Sequence, residues 1–470
     1  MSRSPRRAPS SASPARRRAF DVLMEAGAKG GFARDIMARS EADRCKDPRD
    51  EAFALRLALG VTACEGHLDD ALDAHLNNPR KIPPVIRIAL RVAAYEILYL
   101  DSAPEVAVSQ GVELVRSCSP AFTGLANAVL HRVARDREPF LEARDAAFDQ
   151  RSLVARARQS GLPVWLARSI EASRPNRSQD LLQAQPHPAP FALHVNPRRA
   201  EDLDAQLSSW GAVPLGLPGS WRIDSVRPIL ETDLLAKAAL VVSDLNAQLV
   251  AAAATRPGSC LEIGAGRGTK TFMMACHAYR CGIEREHTAL DLFDWKCKLN
   301  LERVIDAGLS PIEFAVGDAR DLESALGGAP APMFDTVFLD APCSGTGTMR
   351  RHIEIPWRLE PLDVRRSLPD LQLSILKEAS RRVSGNGELV YATCSVLAEE
   401  NEGVIDAFLG SDEGRGFSLA PVSDAWIFSR DRYAGARDLV RGNEDGRGRF
   451  QTVPARDGFD GHFCARMVRA

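Results

Sequence analysis

The 470-residue sequence lacks paired cysteines: its ten cysteines are scattered singly, and no C-x-x-C pair occurs. This spacing supports neither a zinc site nor a disulfide framework. The first 18 residues contain no apolar stretch, so the pattern of a secretory signal peptide is also missing. We therefore expect a cytoplasmic protein with reduced thiols and no bound metal.

A long hydrophobic run free of charge is missing as well. The longest apolar stretch, residues 82–100, contains Arg87, Arg91 and Glu96. The centre of a bilayer strongly disfavours such charges. A largely buried helix in a helical domain is the better interpretation, and we expect no membrane partner.

The chain has no excess of charge of either sign. Its formal net charge of −2 gives no overall attraction for nucleic acid, so any basic binding surface must be local. The first 18 residues nevertheless contain six arginines and no acidic residue. Their composition predicts a disordered basic arm over residues 1–13. Two interpretations of this arm stay open, a solvated tail and a phosphate-binding segment.

Three regions follow the arm. Residues 14–140 show helical periodicity without a β-rich run, which predicts an all-α domain. Residues 141–240 mix helices with a strand and predict a small α+β connecting subdomain. Residues 241–470 alternate short apolar strands with helices, the pattern of a doubly wound parallel sheet. We expect this last region to be an α/β domain of the Rossmann-like type.

The first predicted strand of this α/β region leads into a glycine-rich loop. In an open α/β sheet, ligands bind beyond the carboxyl ends of the strands. Glycines between a strand and a helix let the backbone approach a ligand closely. The loop consists of Gly264, Ala265, Gly266, Arg267, Gly268, Thr269 and Lys270.

Acidic residues and cysteines follow the other four predicted strands. Asp291 lies about 20 residues beyond the glycine loop, where an acid accepts hydrogen bonds from ribose hydroxyls. Asp318 ends the third strand, beside the expected adenine pocket. The fourth strand ends at Asp340, shortly before Cys343, and the fifth ends at Cys394. Each acid alone could be a helix N-cap and each cysteine a core thiol, but five such ends in order favour a functional site.

Several motifs resemble those of a known family. The segments DAPCSGTG, YATCS with a downstream EEN, and DGFDGHFCARM resemble the Sun/Nop2 family of RNA (cytosine-5) methyltransferases. Residues 90–117 and 125–135 resemble the NusB-type RNA-binding domain. This pairing is the architecture of bacterial RsmB-type 16S ribosomal RNA methyltransferases.

The resemblance implies a fold, a cofactor and a partner. It implies a NusB-like helical domain over residues 14–140 and a class I methyltransferase domain over residues 241–470. The implied cofactor is S-adenosyl-L-methionine. The implied partner is RNA, either 16S ribosomal RNA or an assembling small subunit, and we expect the protein to be a monomer.

The resemblance also implies a role for each catalytic residue. Cys394, in the Thr-Cys motif, would attack C6 of cytosine and so activate C5. Asp340 would hydrogen-bond N3 and the exocyclic amine, and Cys343 would help to release the product. Lys270, the retained lysine of the loop, completes the catalytic set. A rival assignment, taken from DNA cytosine methyltransferases, makes Cys343 the nucleophile.

The cofactor is expected to contact the seven loop residues 264–270 together with Asp291, Asp318 and Asp340. This loop departs from the family pattern Ala-Ala-Pro-Gly-Gly-Lys. Two arginines of the family pattern are His131 and His194 here, and Ser243 replaces a glutamine. These departures concern the RNA target more than the chemistry.

Two other functions stay open at this point. The altered glycine loop leaves room for an RNA-binding assembly factor whose second domain only recognises RNA. A thiol hydrolase would use Cys394 with a histidine base, and only His352 and His462 lie in or beside the motifs. Residues 349–358 could contact phosphates, whereas Tyr391 and Trp357 fit ordinary core packing better than base stacking.

Overall fold

The structure, a computed structural model, describes residues 12–29, 33, 36–37, 44–100, 102–145, 152–199, 203–309 and 311–469. Residues 1–11 of the predicted basic arm lie outside this range. Within it, no helix has both the length and the apolar character needed to cross a membrane.

Contacts divide the chain into two units. The first comprises Met1–Ala167 with Pro356–Arg358, and the second comprises Arg168–Ile355 with Leu359–Ala470. The domain boundaries predicted from the sequence, at 140/141 and 240/241, stay predictions.

The first unit is helical throughout its described residues. Proline begins α1, α2, α4 and α5, where its fixed φ suits the first turn and its missing N–H leaves no helical bond unmade. The apolar faces share one core that includes the fully buried Leu57, Leu90 and Leu130. The helices are α1 (Pro14–Lys29), α2 (Pro48–Ala63), α3 (Glu65–Asp73), α4 (Pro84–Tyr99), α5 (Pro104–Cys118), α6 (Thr123–Arg135), α7 (Arg137–Asp145) and α8 (Leu153–Gln159).

The long apolar run of the sequence forms α4, and its charged residues are paired. Arg91 donates to both carboxylate oxygens of Asp69, at 2.8 and 2.6 Å. Glu96 is fully buried and accepts a hydrogen bond from Arg16 Nε at 2.7 Å. Most residues of α4 are buried, which confirms the prediction of a buried helix. The helix tolerates its buried charges because each of them has a partner.

The second unit contains a small antiparallel sheet and a large sheet. The helices from here on are α9 (Val164–Ser173, which begins in the first unit), α10 (Ser178–Ala184), α11 (Leu203–Ser209), α12 (Arg227–Leu230), α13 (Leu245–Ala253), α14 (Thr269–Cys281), α15 (Asp294–Ala307), α16 (Leu322–Ala325), α17 (Ile355–Arg358, whose last three residues belong to the first unit), α18 (Leu368–Ser380), α19 (Glu402–Leu409) and α20 (Ala434–Arg441). Its strands are β1 (Phe191–Val195), β2 (Val213–Pro214), β3 (Ser220–Ile223), β4 (Leu240–Val242), β5 (Gly258–Ile263), β6 (Arg285–Asp291), β7 (Glu313–Val316), β8 (Phe334–Asp340), β9 (Val383–Thr393), β10 (Phe417–Ala420), β11 (Phe450–Gln451) and β12 (Phe463–Arg469).

The large sheet has the order β10-β12-β9-β8-β5-β6-β7, with β11 paired to β12, and the small sheet has the order β2-β3-β1-β4. Strands β5 to β9 are parallel, as the sequence predicted, whereas β10 and β12 pair antiparallel. The predicted parallel α/β sheet is therefore confirmed for β5 to β9, and two antiparallel strands extend it at this edge. Residues 463–469, which the sequence offered only as a motif, form the strand β12 between β9 and β10.

The strand register brings the functional loops to one edge. β5 and β8 are neighbours that end level, with Ile263 opposite Leu339, and Asp340 of β8 lies opposite Ala392 of β9. From β5 the chain continues to β6 on one side, while β8 lies on the other. This reversal opens a crevice at the carboxyl ends of the strands.

Substitution of Phe338 by alanine should destabilise this sheet. The ring is fully buried on β8, and its loss should cost about 3–5 kcal/mol because a cavity remains. Hydrogen exchange of the β5, β8 and β9 amides under urea measures the loss. Phe293→Ala, at a ring 48% exposed, is the matched control; an equal loss in both variants would contradict the packing assigned to β8.

Candidate active site at the carboxyl ends of the strands

The glycine loop after β5 takes a conformation that side chains would prevent. Gly264, Gly266 and Gly268 have φ values of +79°, +58° and +82°. A Cβ on Gly264 would lie 2.4 Å from the Asp340 backbone oxygen, and one on Gly268 would lie 2.0 Å from Asn300 Oδ1. Only glycine fits these two positions, so the loop runs close to the end of β8.

Asp291 holds the loop from the end of β6. The carboxylate is buried and accepts hydrogen bonds from the backbone N–H of Gly266 at 2.9 Å and of Phe293 at 3.0 Å. Its backbone oxygen accepts from the N–H of Gly317 at 3.2 Å. Each carboxylate oxygen retains capacity for a further donor. The loop residues and Asp291 therefore lie together, as the sequence predicted.

Asp318 is partly exposed at the end of the third parallel strand in the sequence. It follows β7, and Arg320 binds both of its carboxylate oxygens. Hydrogen bonds from Arg320 lower the pKa of Asp318, so the carboxylate is charged and occupied. An adenine amine would have to share it with this guanidinium.

Lys270 and Asp340 form an ion pair at the centre of the crevice. Nζ of Lys270, in the first turn of α14, lies 2.6 Å from Oδ2 of Asp340. Burial disfavours the charged ammonium, but the Asp340 carboxylate outweighs this effect, and the pKa of Lys270 is raised. Lys270 is therefore a fixed positive charge beside the two cysteine loops.

The two cysteines of the motifs are in contact. Sγ of Cys343 lies 3.4 Å from Sγ of Cys394, because β8 and β9 are parallel neighbours and both loops turn over the same edge. The hydrogen bond from Cys343 lowers the pKa of Cys394, burial opposes this effect, and Lys270 adds to it. The same hydrogen bond, together with burial, raises the pKa of Cys343. The opposite shifts make Cys394 the more acidic thiol of the pair; its role as a thiolate that accepts from Cys343 stays a prediction.

Gly347 fixes the spacing of the two loops. Its N–H donates to the Cys394 backbone oxygen at 2.8 Å, and its own oxygen accepts from the Gly461 N–H at 2.9 Å. A Cβ at this position would lie 2.1 Å from the Gly461 oxygen. The loops after β8 and β9 and the segment before β12 therefore meet at Gly347.

A buried polar network lies under the cysteines, and the sequence did not predict it. Ser344 and Ser395, which follow the two cysteines, both donate to the carboxylate of Glu400, at 2.7 and 3.1 Å. Gln372 and Asn401 join them. Glu400 and Asn401 belong to the EEN motif, which gave a signal, whereas Gln372 lies within α18 and gave none.

Other residues singled out in the sequence lie inside the second unit. Arg350 and Arg351 both pair with Asp460, so their charge is engaged within the second unit, and phosphate contact by residues 349–358 stays a prediction. Tyr391 is fully buried and donates to the Glu400 backbone oxygen at 2.7 Å, which confirms core packing. His194 is also fully buried, and its Nδ1 lies 2.9 Å from Gln248 Oε1.

The histidine required by a thiol hydrolase is not paired with a cysteine in the described hydrogen bonds. His462 is buried, and burial, followed by the charge of Lys270, lowers its pKa to about 4. Cys394 instead has Cys343 as its side-chain partner. The structure therefore favours a dithiol site.

Comparison with known proteins identifies the family. The family model "16S rRNA methyltransferase RsmB/F" matches residues 253–468, and the NusB family model matches residues 13–135. "Ribosomal RNA small subunit methyltransferase B" of Vibrio cholerae serotype O1 is 30% identical over 417 residues, which cover 86% of this chain and 89% of that protein. The chain belongs to the RsmB/F family of rRNA methyltransferases.

Further relatives extend the match over nearly the whole chain. "Ribosomal RNA small subunit methyltransferase B" of Shewanella oneidensis is 25% identical over 462 residues, 96% of this chain and 97% of that protein. The crystal structure of PH0851 has a TM-score of 0.71 at 20% identity and covers 97% of this chain and 99% of that one, which shows the shared fold. A NusB domain followed by a class I methyltransferase domain is thereby confirmed. The chain is an rRNA methyltransferase with a cofactor of the S-adenosylmethionine type; the roles of single site residues stay predictions.

Cys394 should react with iodoacetamide at lower pH than an ordinary cysteine. A lowered pKa leaves the reactive thiolate present as the pH falls. Cys343→Ala removes the donor, so the Cys394 reactivity curve should move to higher pH. Peptide mass spectrometry across a pH series measures both curves, and Cys281→Ala, at the far end of α14, serves as the control. A curve unmoved by Cys343→Ala would contradict the donor role.

Proposed function

We propose that this protein transfers the methyl group of S-adenosyl-L-methionine to C5 of a cytosine in 16S ribosomal RNA. In this proposal Cys394 Sγ binds C6 covalently during the reaction. One observation carries it: two thiols lie 3.4 Å apart with pKa values shifted in opposite directions. Such a pair suits a reaction that makes and then breaks one carbon–sulfur bond.

The residues at the end of β5 and β6 fit the cofactor. The three loop glycines, all at positive φ, let the backbone approach a ligand closely, and Asp291 keeps acceptor capacity for two ribose hydroxyls. Asp318 and Asp340 line the neighbouring strand ends. When bound, the cofactor supplies a methyl group on a positively charged sulfur, which is the electrophile of the reaction.

The attack begins with Cys394. Its thiolate adds to C6, and the electrons of the C5–C6 bond become available at C5, which otherwise is a poor nucleophile. As the thiolate adds, N3 takes up a proton from water, which it returns when the product is released, and the Asp340 carboxylate accepts hydrogen bonds from N3–H and from the exocyclic amine. Lys270 holds that carboxylate in place at 2.6 Å. A buried charge pair that needs no rearrangement stabilises the adduct as charge develops.

Release depends on Cys343. After methylation the C5 proton leaves to a base, the C5–C6 bond re-forms, and Cys394 departs as a thiolate. A thiolate of lower pKa leaves faster, and the Cys343 hydrogen bond lowers the pKa of Cys394. Cys343 therefore assists the breaking of the bond that Cys394 makes.

The target cytosine must be unpaired or turned out of its helix, because pairing and stacking cover C6. The NusB domain, with the arginine-rich residues 1–18 before and at its start, is the proposed RNA-binding part. This assignment leaves the chemistry to the second unit.

The two cysteine variants should fail at different steps. Cys394→Ala removes the nucleophile, so neither methylation nor a covalent complex should form. Cys343→Ala should still attack and transfer the methyl group, but release slowly. Labelled cofactor and RNA, run on a denaturing gel, should show a trapped, methylated complex only for Cys343→Ala. The reverse pattern would assign the nucleophile to Cys343, and Cys281→Ala controls for loss of any cysteine.

Asp291→Ala should weaken binding of S-adenosylmethionine. Hydrogen bonds to a charged group contribute about 1–3 kcal/mol, and the variant also frees the Gly266 N–H that Asp291 holds. Isothermal titration measures the dissociation constant. Asp294→Ala, three residues on and paired only with exposed Lys298 among the described ion pairs, is the control. No binding by the unchanged protein would favour an RNA-binding assembly factor instead.

A further inference from the structure

Glu400 is a fully buried carboxylic acid whose side chain accepts hydrogen bonds from both cysteine loops, the one after β8 and the one after β9. Its Oε2 accepts from the N–H of Ser344 at 2.7 Å, directly after Cys343. Its Oε1 accepts from Oγ of Ser395 at 3.1 Å, directly after Cys394. One carboxylate therefore holds both loops, which are also linked directly, because Ser395 Oγ lies 3.3 Å from Ser344 Oγ and 3.1 Å from Thr346 Oγ1.

Gln372 acts on one loop only. Its Nε2 donates to the Pro342 backbone oxygen at 2.8 Å and to Glu400 Oε2 at 3.0 Å. These bonds hold the residue before Cys343 and, through Glu400, the residue after it. Among the residues that the structure describes, no hydrogen bond joins Gln372 to the loop of Cys394 except through Glu400.

Asn401 acts on the other loop. Its Nδ2 donates to the Ser395 backbone oxygen at 2.9 Å, and its Oδ1 accepts from Thr393 Oγ1 at 2.6 Å. These bonds hold the residues on both sides of Cys394. Gln372 and Asn401 thus form a matched pair, one for each cysteine.

We propose that Glu400 is the positioning residue that couples attack by Cys394 to release by Cys343, with Gln372 serving only release and Asn401 only attack. This inference rests on the proposed covalent reaction and deepens it. The coupling is mechanical: a shift of the carboxylate moves both loops, whereas loss of either amide moves one.

The hydrogen bonds define what the carboxyl group must do. Because Oε2 accepts from two N–H groups, it has no room for a proton. Burial raises the pKa of Glu400. Any proton that the carboxyl group takes up must lie on Oε1, which faces Ser395 Oγ. The Ser395 hydroxyl can then rotate and accept a hydrogen bond from Oε1 in place of donating to it. The arrangement therefore needs an acceptor at Oε2 but no charge. Glutamine can supply both contacts, with its oxygen towards Ser344 and its amide towards Ser395.

The test measures two rates in four variants of the full-length protein. Single-turnover transfer from labelled S-adenosylmethionine gives the rate of attack and methylation, and decay of the covalent complex on denaturing gels gives release. The variants are Glu400→Ala, Glu400→Gln, Gln372→Ala and Asn401→Ala. Glu399→Ala, whose carboxylate binds Ser173 Oγ instead, is the control, and cofactor affinity reports that the site is folded.

Misplaced reacting groups cost about tenfold to a hundredfold in rate. Glu400→Ala should lose this much in both transfer and release, and Glu400→Gln should restore both to within about threefold. Gln372→Ala should slow release and accumulate the complex, whereas Asn401→Ala should slow transfer without accumulating it.

Three results would overturn the inference. Equal damage in Glu400→Gln and Glu400→Ala would mean that the charge acts, not the position. Unchanged rates per folded molecule in Glu400→Ala would mean that the network only stabilises the fold. Identical phenotypes of Gln372→Ala and Asn401→Ala would contradict the division of labour, and this comparison decides the matter if Glu400→Ala does not fold. An unchanged protein that forms no complex and no 5-methylcytosine would instead refute the underlying function, and the inference with it.

Discussion

The contact between the two cysteine sulfurs is the constraint on which the rest of the site depends. Sulfur atoms 3.4 Å apart can share one proton, and sharing it makes one of them a thiolate and the other a donor. Parallel pairing of β8 with β9 places the loops side by side, and the close approach of Gly347 to Gly461 sets their separation. A Cβ at Gly347 would lie 2.1 Å from the Gly461 oxygen, so a side chain there would force the loops apart.

Charge is arranged around this pair so that it favours one direction of proton sharing. Lys270 lowers the pKa of Cys394, whereas Asp340 and Glu400 act against it. Asp340 is held by Lys270, and Glu400 by three hydrogen-bond donors. In a largely buried crevice such fixed charges act more strongly because water screens them less. The arrangement therefore lowers the pKa of Cys394 through Cys343 and Lys270.

Features with a local signal could be predicted from the sequence. The strands β5 to β9, the glycine loop, Asp291, Asp340 and the two cysteines follow from alternation, turn residues and strand ends. The antiparallel β12 could not be predicted in the same way, because its pairing with β9 joins distant segments. Arg350 and Arg351 suggested phosphate binding, yet buried Asp460 pairs with both.

The partners of a buried network are set by tertiary contact, so Gln372 gave no signal, and Glu400 gave only a motif.

The most direct test of the account is to find which sulfur bonds to the base. RNA carrying 5-fluorocytidine should trap the complex, because a base can remove a proton from C5 but cannot remove the fluorine that replaces it. After digestion, tandem mass spectrometry should place the modified nucleotide on the peptide containing Cys394. A nucleotide attached to the peptide containing Cys343 would contradict the account.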